Sequence, residues 1–310
     1  MSDVEPPAPD RGPLTASSGN PIGSPATGPS NRKQRRAAGT SRAGRDLPAA
    51  IGVGLALLFT VLIGLFFMPL AFVVTATVFG VIGVWEVSRA LQVRNIHVPL
   101  VPVVAGSVAL PFAAYLGGTE ALGFALVASA VAVLLWRSLD PTEDATRSIL
   151  GGLFVILWVP FLISFALLLF QQPQGNFKVV TLLLLVVAND TFGYLLGAFF
   201  GKHPMAPKIS PKKSWEGFAG SVGGAVLIGV MASLFLLDLP WWFGLVLAIA
   251  TVAAATGGDL AESMIKRELG IKDMGTALPG HGGVMDRLDS IVFASPVAYV
   301  LSSTLVPGAM

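Results

Sequence analysis

The sequence predicts an all-α, polytopic integral membrane protein with about nine transmembrane helices and a cytoplasmic N-terminus. Of its 310 residues, 54% are hydrophobic and only 12% are charged, a balance that is unusual for a soluble domain. From Leu47 onward, apolar runs of about 20 residues recur, and a helix needs this length to cross the hydrocarbon core. Together the two observations indicate a bundle of membrane-spanning helices.

Residues 1–46 form a separate region, which we predict to be a disordered, basic cytoplasmic tail. They are rich in Pro, Gly, Ser and Ala and cannot bury enough apolar surface to offset chain entropy. The basic residues that precede the first span are Arg32, Lys33, Arg35, Arg36, Arg42 and Arg45. They indicate a positive-inside topology anchor, with binding to anionic lipid headgroups as an alternative. Residues 47–310 form the membrane-embedded domain.

The membrane domain divides into spans whose connecting loops differ in charge. The predicted spans are 47–67, 69–89, 98–117, 119–136, 148–170, 178–200, 217–237, 241–262 and 290–307. Lys and Arg are concentrated in alternate loops, and the opposite loops contain none except Lys178 at the start of a helix. The positive-inside rule therefore places the N-terminus and both large polar segments on the cytoplasmic face of the cell membrane. The C-terminus is then outside.

The composition also limits the chemistry. The chain has no Cys, which excludes disulfides, thiolate nucleophiles, iron–sulfur clusters and Cys-ligated zinc. Its three His residues, His97, His203 and His281, are too scattered to suggest a His-rich metal site. A metal ion would therefore lie among carboxylates, which favours Mg²⁺, Mn²⁺ or Ca²⁺.

Charged residues are concentrated in the stretch 257–289. Ionisable groups at membrane depth are costly and indicate a functional site. If the eighth helix continues past Asp259, then Asp259, Ser263 and either Lys266 or Arg267 lie on one of its faces. A carboxylate, a hydroxyl and cations on one stripe could bind a metal ion and the phosphates that it bridges.

Asp286 and Asp289 add a second pair of carboxylates, spaced i, i+3 at the start of the ninth helix. With Asp259 they could hold one or two hard cations, whose other ligands would be water and substrate phosphate. The alternative is a set of interhelical salt bridges that holds the bundle together.

Three further features accompany this stretch. The glycine-rich segment 278–283 would let backbone amides approach a phosphate or a sugar, although loop glycines often serve only as turns. Lys212 and Lys213 form a compact positive site suited to triphosphate or lipid headgroups, or simply a solvated cytoplasmic loop. Asp190 lies inside an otherwise apolar helix, where it indicates either function or a structural hydrogen bond.

The spacing of these residues resembles a known signature. Residues 263–289, from Ser263 through Lys266, Arg267, Lys272, Asp273 and the segment His281-Gly282-Gly283 to Asp286-Arg287-Leu288-Asp289, resemble the signature of the phosphatidate cytidylyltransferases, or CDP-diacylglycerol synthases. The segment 210–217 resembles a second motif of that family, with Ser214 where Thr is common. Segments 189–191 and 258–260 are similar as well. The first four spans resemble the family only in hydropathy.

The resemblance implies transfer of a cytidylyl group from CTP to phosphatidic acid, giving CDP-diacylglycerol and pyrophosphate, with Mg²⁺ or alternatively Mn²⁺. It suggests Asp259, Lys266, Arg267, Asp286 and Asp289 as catalytic residues, of which the three Asp would be metal ligands. It suggests substrate binding by Asp190, Lys212, Lys213, Ser263, Lys272, Asp273, His281, Gly282, Gly283 and Arg287. Membrane lipids would be partners, nucleic acid would not, and a homodimer is a further expectation.

Two other functions share some of these features. A CTP-dependent lipid-alcohol kinase would have membrane helices and a nucleotide site but would transfer the γ-phosphoryl group. A transporter or channel would use the intramembrane Asp residues as an ion path. The concentration of phosphate-binding residues on one cytoplasmic face argues against transport.

Overall fold

The computed structural model describes residues 47–139, 144–275, 277 and 282–306. The predicted disordered tail, residues 1–46, and the predicted substrate-binding residue His281 lie outside this range. The helices are α1 (Leu47–Phe66), α2 (Pro69–Gln92), α3 (Leu100–Leu139), α4 (Ala145–Gln171), α5 (Gly175–Phe200), α6 (Trp215–Phe235), α7 (Trp241–Leu269) and α8 (Met285–Leu305). Two short strands, β1 (Pro204–Ala206) and β2 (Ser210–Ser214), pair in antiparallel fashion between α5 and α6.

Helix α3 is a hairpin of two membrane spans. Gly118 has φ +66° and ψ −152°, a backbone conformation that interrupts the helix and that residues with a side chain rarely adopt. A Cβ built on Gly106 would lie 3.0 Å from Oγ of Ser129, so positions at similar distances before and after the turn face each other. The two limbs therefore run antiparallel, as the separate spans 98–117 and 119–136 predict.

The helix count agrees with the sequence prediction. In the described part of the chain, seven helical elements, α2 to α8, are long and apolar enough to cross a membrane. Counting α3 as two spans gives eight, and α1, whose apolar part Gly54–Phe66 is shorter, lies where the first of the nine spans was predicted. The all-α membrane fold is thus confirmed, and the β1–β2 hairpin is an addition that the sequence analysis did not predict.

Two helix boundaries differ from the prediction in a way that matters for function. Helix α7 continues to Leu269, seven residues beyond the predicted end, and α8 begins at Met285 instead of residue 290. Gly270 ends α7 in the left-handed conformation, φ +74°, with its N–H bonded back to the last turn. Charged residues that hydropathy had assigned to a loop therefore lie on rigid helix ends.

Glycines at two helix crossings allow the C-terminal helices to approach closely. A Cβ on Gly244 of α7 would lie 2.2 Å from the carbonyl oxygen of Gly229 on α6. A Cβ on Gly258 of α7 would lie 2.6 Å from the carbonyl oxygen of Asp289 on α8. Small residues at such crossings let membrane helices approach closely, because lipid provides no hydrophobic force between them. The crossing at Gly258 sets the distance between the polar ends of α7 and α8.

Candidate active site

Asp259 on α7 is the centre of the first group of polar contacts. Its Oδ2 lies 2.6 Å from Nζ of Lys213, the penultimate residue of β2. Its Oδ1 accepts a hydrogen bond of 3.2 Å from Oγ of Ser263, one turn further along the same helix. The predicted helical stripe therefore exists, and the strand pair adds a cation from a different part of the chain.

Lys266 is the centre of the second group. Its ammonium group donates to Oε1 of Glu262 at 2.8 Å and to Oδ1 of Asp286 at 2.7 Å. The Glu262 side chain is completely buried, and those of Lys266 and Asp286 are 15% and 11% exposed. A buried carboxylate is costly without a partner, so Lys266 neutralises two groups that the helices could not otherwise enclose. The cation joins α7 to the first turn of α8.

The second oxygen of Asp286 organises the loop between these helices. Oδ2 accepts hydrogen bonds from the backbone N–H groups of Met274 at 2.9 Å and Gly283 at 3.1 Å. Gly282, next to this contact, has φ +84°, which suits glycine. Glycines were predicted to bring backbone amides near a substrate phosphate or sugar. In the structure the amide of Gly283 approaches a carboxylate of the protein.

Helix α5 contributes Asp190 and its neighbour. The side-chain amide of Asn189 donates to Oδ1 of Asp190 at 3.0 Å, and Thr256 of α7 donates to Oδ1 of Asn189 at 3.2 Å. Asp190 and Asp289 each interact electrostatically with Asp259, and with each other. Carboxyl groups from three helices thus lie close enough to interact electrostatically, and a bound cation would lower the cost of ionising all three.

A cavity of about 260 Å³ opens beside this region. Its polar lining comes from α5, the strand pair, α6 and α7: Asn189, Asp190, Lys212, Lys213, Ser214, Ser221, Thr256 and Asp259. Tyr194, Met205 and Phe218 provide apolar surface. The cavity therefore combines two ammonium groups, two carboxylates and apolar walls, a combination suited to a phosphorylated organic ligand.

The β1–β2 hairpin is attached to the helices on both sides of the cavity. Ser214 caps α6, accepting a hydrogen bond of 3.1 Å from the N–H of Gly217. Nε of Arg267 donates to the carbonyl oxygen of Ile209 at 3.3 Å. Arg267 was predicted to neutralise a substrate phosphate, and in the structure it contacts the hairpin turn from an exposed position. The hairpin thus holds Lys212 and Lys213 at the cavity.

Several predicted substrate-binding residues lie apart from the cavity lining. Lys272 and Asp273 are exposed in the loop after α7. Arg287 is also exposed, although it interacts electrostatically with Asp190. Binding by these residues stays a prediction.

Two further buried carboxylates belong to this region, although the sequence analysis did not assign either of them to the site. Glu262 shares Lys266 with Asp286, and Glu86 of α2 accepts hydrogen bonds from the loop that precedes α8. Each is an ionisable residue in an apolar helix, the same signal that selected Asp190. The sequence therefore already marks both residues as ionisable groups near the membrane, but their partners are visible only in the structure.

The proposed metal ligands Asp259, Asp286 and Asp289 do not converge on one point. Among the residues that the structure describes, no three Asp, Glu or His side chains are close enough to form a metal site. Asp286 is instead occupied by Lys266 and two backbone amides. Metal binding by Asp259 and Asp289 stays a prediction.

These observations define a class of protein: a polytopic membrane protein with a cation-rich and carboxylate-rich site at the ends of its C-terminal helices. The sequence model of the cytidylyltransferase family matches residues 48–305. The chain therefore belongs to the cytidylyltransferase family.

Individual relatives agree with this assignment. The chain is 38% identical over 306 residues to the phosphatidate cytidylyltransferase of Mycobacterium bovis, covering 94% of this chain and 98% of that protein. It is 36% identical over 305 residues to that of Mycobacterium leprae, covering 93% and 97%. A shorter match, 43% over 131 residues, covers 40% of this chain and 44% of the phosphatidate cytidylyltransferase of Haemophilus influenzae.

Proposed function

We propose that this protein transfers the cytidylyl group of CTP to phosphatidic acid and produces CDP-diacylglycerol and pyrophosphate. A phosphate oxygen of phosphatidic acid forms a bond to the α-phosphorus of CTP, and the bond from that phosphorus to the β-phosphate oxygen breaks. The observation that carries the proposal is the ion pair of Lys213 and Asp259 at the edge of a cavity on the polar helix ends. Full-length similarity to proteins named phosphatidate cytidylyltransferase supports it.

In this proposal the protein accelerates the reaction by positioning the two substrates and by neutralising the charge on their phosphates. The attacking phosphate is already ionised, so it has little need of a general base. Lys212 and Lys213 line the cavity and would neutralise the triphosphate, as cations do in other phosphoryl transfers. Lys266 is committed to Glu262 and Asp286 in the structure, so we assign it to holding α7 and α8 in register.

The metal ion of the proposal is Mg²⁺, with Mn²⁺ as an alternative. Asp259 and Asp289 would hold it, and Asp190 lies near enough to add negative charge. When bound, the ion would neutralise developing charge on the phosphates and orient them. Asp286 is no longer assigned as a ligand, because it is only 11% exposed and two fixed backbone N–H groups donate to it besides Lys266, whereas Asp259 is 31% exposed and is held only by side chains.

We further propose that the site faces the cytoplasm of the cell membrane. The loops at this end carry Lys and Arg, as the positive-inside rule requires, and CTP is a soluble cytoplasmic nucleotide. The acyl chains of the lipid substrate would then stay in the bilayer. A homodimer is a remaining expectation, and light scattering of the detergent-solubilised protein tests it.

The decisive experiment measures pyrophosphate release by the purified protein in detergent with CTP, phosphatidic acid and Mg²⁺. We expect release to require all three components, to yield CDP-diacylglycerol, and to disappear in Asp259→Ala. With diacylglycerol in place of phosphatidic acid, release of CDP together with phosphorylation of that lipid alcohol would indicate the lipid-alcohol kinase instead. Nucleotide-independent flux in proteoliposomes, without turnover, would indicate the transporter.

A further inference from the structure

Glu86 is a buried carboxylate near the C-terminal end of α2, far in sequence from the catalytic segment. Its side chain is 1% exposed in a helix that is otherwise almost entirely apolar. Enclosing an ionisable group in this way is costly unless hydrogen bonds compensate it. The location of the groups that donate hydrogen bonds to Glu86 therefore indicates the structural role of this residue.

Those partners are backbone amides of the loop between α7 and α8. Oε2 accepts a hydrogen bond of 2.9 Å from the N–H of Met285, and Oε1 accepts a longer one of 3.4 Å from the N–H of Ala277. Met285 is the first residue of α8, so its N–H has no acceptor within its own helix. Glu86 supplies that acceptor from another helix, and its negative charge suits the positive end of the α8 dipole.

Two glycines leave room for the carboxylate. A Cβ on Gly275 would lie 2.1 Å from Oε1 of Glu86, and a Cβ on Gly283 would lie 2.8 Å from Oε2. The same Cβ on Gly283 would lie 2.7 Å from Oδ2 of Asp286. Gly275 and Gly283 of this loop therefore pack against two carboxylates, one from α2 and one from α8.

The carboxylates of Asp286 and Glu86 accept hydrogen bonds from four different backbone N–H groups. Asp286 takes those of Met274 and Gly283, and Glu86 takes those of Ala277 and Met285. Because Met285 directly precedes Asp286, the hydrogen bond to Glu86 fixes the turn from which Asp286 reaches Lys266. A displacement of this turn would move the Lys266 contact and Asp289, one turn further along α8.

We propose that Glu86 is a positioning residue of the active site, holding the α7–α8 loop and the first turn of α8 in place for cytidylyl transfer. It makes no direct contact with substrate in this role. The kinetic part of the inference rests on the proposed function, whereas the structural part does not. The first half of the chain thereby takes part in building the site.

The test compares Glu86→Gln with the wild type and with Ser88→Ala, a matched control that is also buried on α2. The amide side chain keeps the size of Glu86 but loses the charge and one acceptor oxygen. We expect kcat to fall by roughly tenfold to a hundredfold, since hydrogen bonds to charged groups are among the stronger ones, and KM for CTP to change less. Ser88→Ala should match the wild type in both constants.

Hydrogen–deuterium exchange of the full-length protein in detergent provides a readout that is independent of turnover. Peptides covering residues 274–286 should exchange faster in Glu86→Gln and unchanged in Ser88→Ala. Near-wild-type kcat, or faster exchange spread over the whole protein instead of this loop, would overturn the proposal. If the wild type showed no turnover, the proposed function would fail while the exchange data still decided the role of Glu86.

A second variant covers the case in which Glu86→Gln does not fold. Gly275→Ala places a methyl group against Oε1 of Glu86 and should cause a similar loss of kcat. In a Glu86→Ala background, where that clash is absent, Gly275→Ala should cause little further loss. Additive losses in the double variant would show that the two residues act separately and would contradict the proposal.

Discussion

Nζ of Lys213 lies 2.6 Å from Oδ2 of Asp259, and this ion pair links the end of β2 to the middle of the polar face of α7. The two side chains are 26% and 31% exposed at the wall of the cavity. The ammonium group of Lys213 and the carboxylate of Asp259 can therefore separate without unfolding the site. The triphosphate of CTP would then bind to Lys213, and a metal ion would bind to Asp259.

Replacing Lys213 by Met should lower kcat/KM for CTP by roughly tenfold to a hundredfold, because one charge-assisted contact to the triphosphate is lost. Steady-state kinetics with purified protein measures this. Lys208→Met is the matched control, since Lys208 is an exposed Lys of the same hairpin and does not line the cavity. Equal effects of the two substitutions would mean that only the overall charge of the loop matters.

Replacing Lys266 by Met should destabilise the protein, because the carboxylates of Glu262 and Asp286 lose their shared cation. Removal of one partner from a buried ion pair commonly costs about 3–5 kcal/mol. Thermal unfolding in detergent should show a clear decrease. Adding Glu262→Gln removes one of the two carboxyl groups that are left without the cation and should restore part of the stability but not the activity. A double variant no more stable than Lys266→Met would argue against this account.

Chelation of divalent metal should abolish turnover, and Mg²⁺ should restore it. Asp289→Asn removes one proposed ligand, so its activity should need a higher Mg²⁺ concentration for half-saturation. Asp238→Asn is a suitable control, because Asp238 is exposed in the α6–α7 turn and its φ of +52° is one that Asn tolerates. An unchanged Mg²⁺ dependence in Asp289→Asn would remove this residue from the metal site.

The crossing of α7 and α8 can be tested with two adjacent glycines. A Cβ on Gly258 would lie 2.6 Å from the carbonyl oxygen of Asp289, whereas a Cβ on Gly257 would meet no atom within 4 Å. Gly258→Ala should therefore separate the helices, cost about 1–3 kcal/mol of stability, and lower activity. Gly257→Ala should be neutral or slightly stabilising, because Ala favours helix. Similar behaviour of the two variants would contradict the close crossing.

Hydropathy predicted the membrane fold well because every span in lipid must be an apolar segment whose backbone hydrogen bonds are formed within the helix. It identified both limbs of the α3 hairpin across Gly118. It placed the start of α8 at residue 290, five residues late, because Asp286 and Asp289 make the first turn look like a loop. The hydrogen bonds and the cation that admit these carboxylates to a helix come from other segments, which a hydropathy window does not include.

Local sequence patterns also explain which contacts of the site could be predicted and which could not. The i, i+4 pair of Asp259 and Ser263 follows from helix geometry alone. The partners of Lys213, Asp286 and Glu86 depend on how distant segments meet, and no local spacing encodes that. The signature segment indicated Asp286 as a ligand, and it could not show that Lys266 and two backbone N–H groups donate to this carboxylate in the structure.

The hydrogen bond between Glu86 and Met285 joins residues 199 positions apart, and this has a consequence for biosynthesis. A ribosome delivers α2 to the membrane long before the start of α8 has been synthesised. Until then the carboxylate of Glu86 lacks the N–H groups of Ala277 and Met285 that donate to it in the folded protein, so water or the insertion machinery must supply its hydrogen bonds. The contact between Glu86 and the first turn of α8 can therefore form only after the last helix has arrived, so this part of the active site is completed late in membrane insertion.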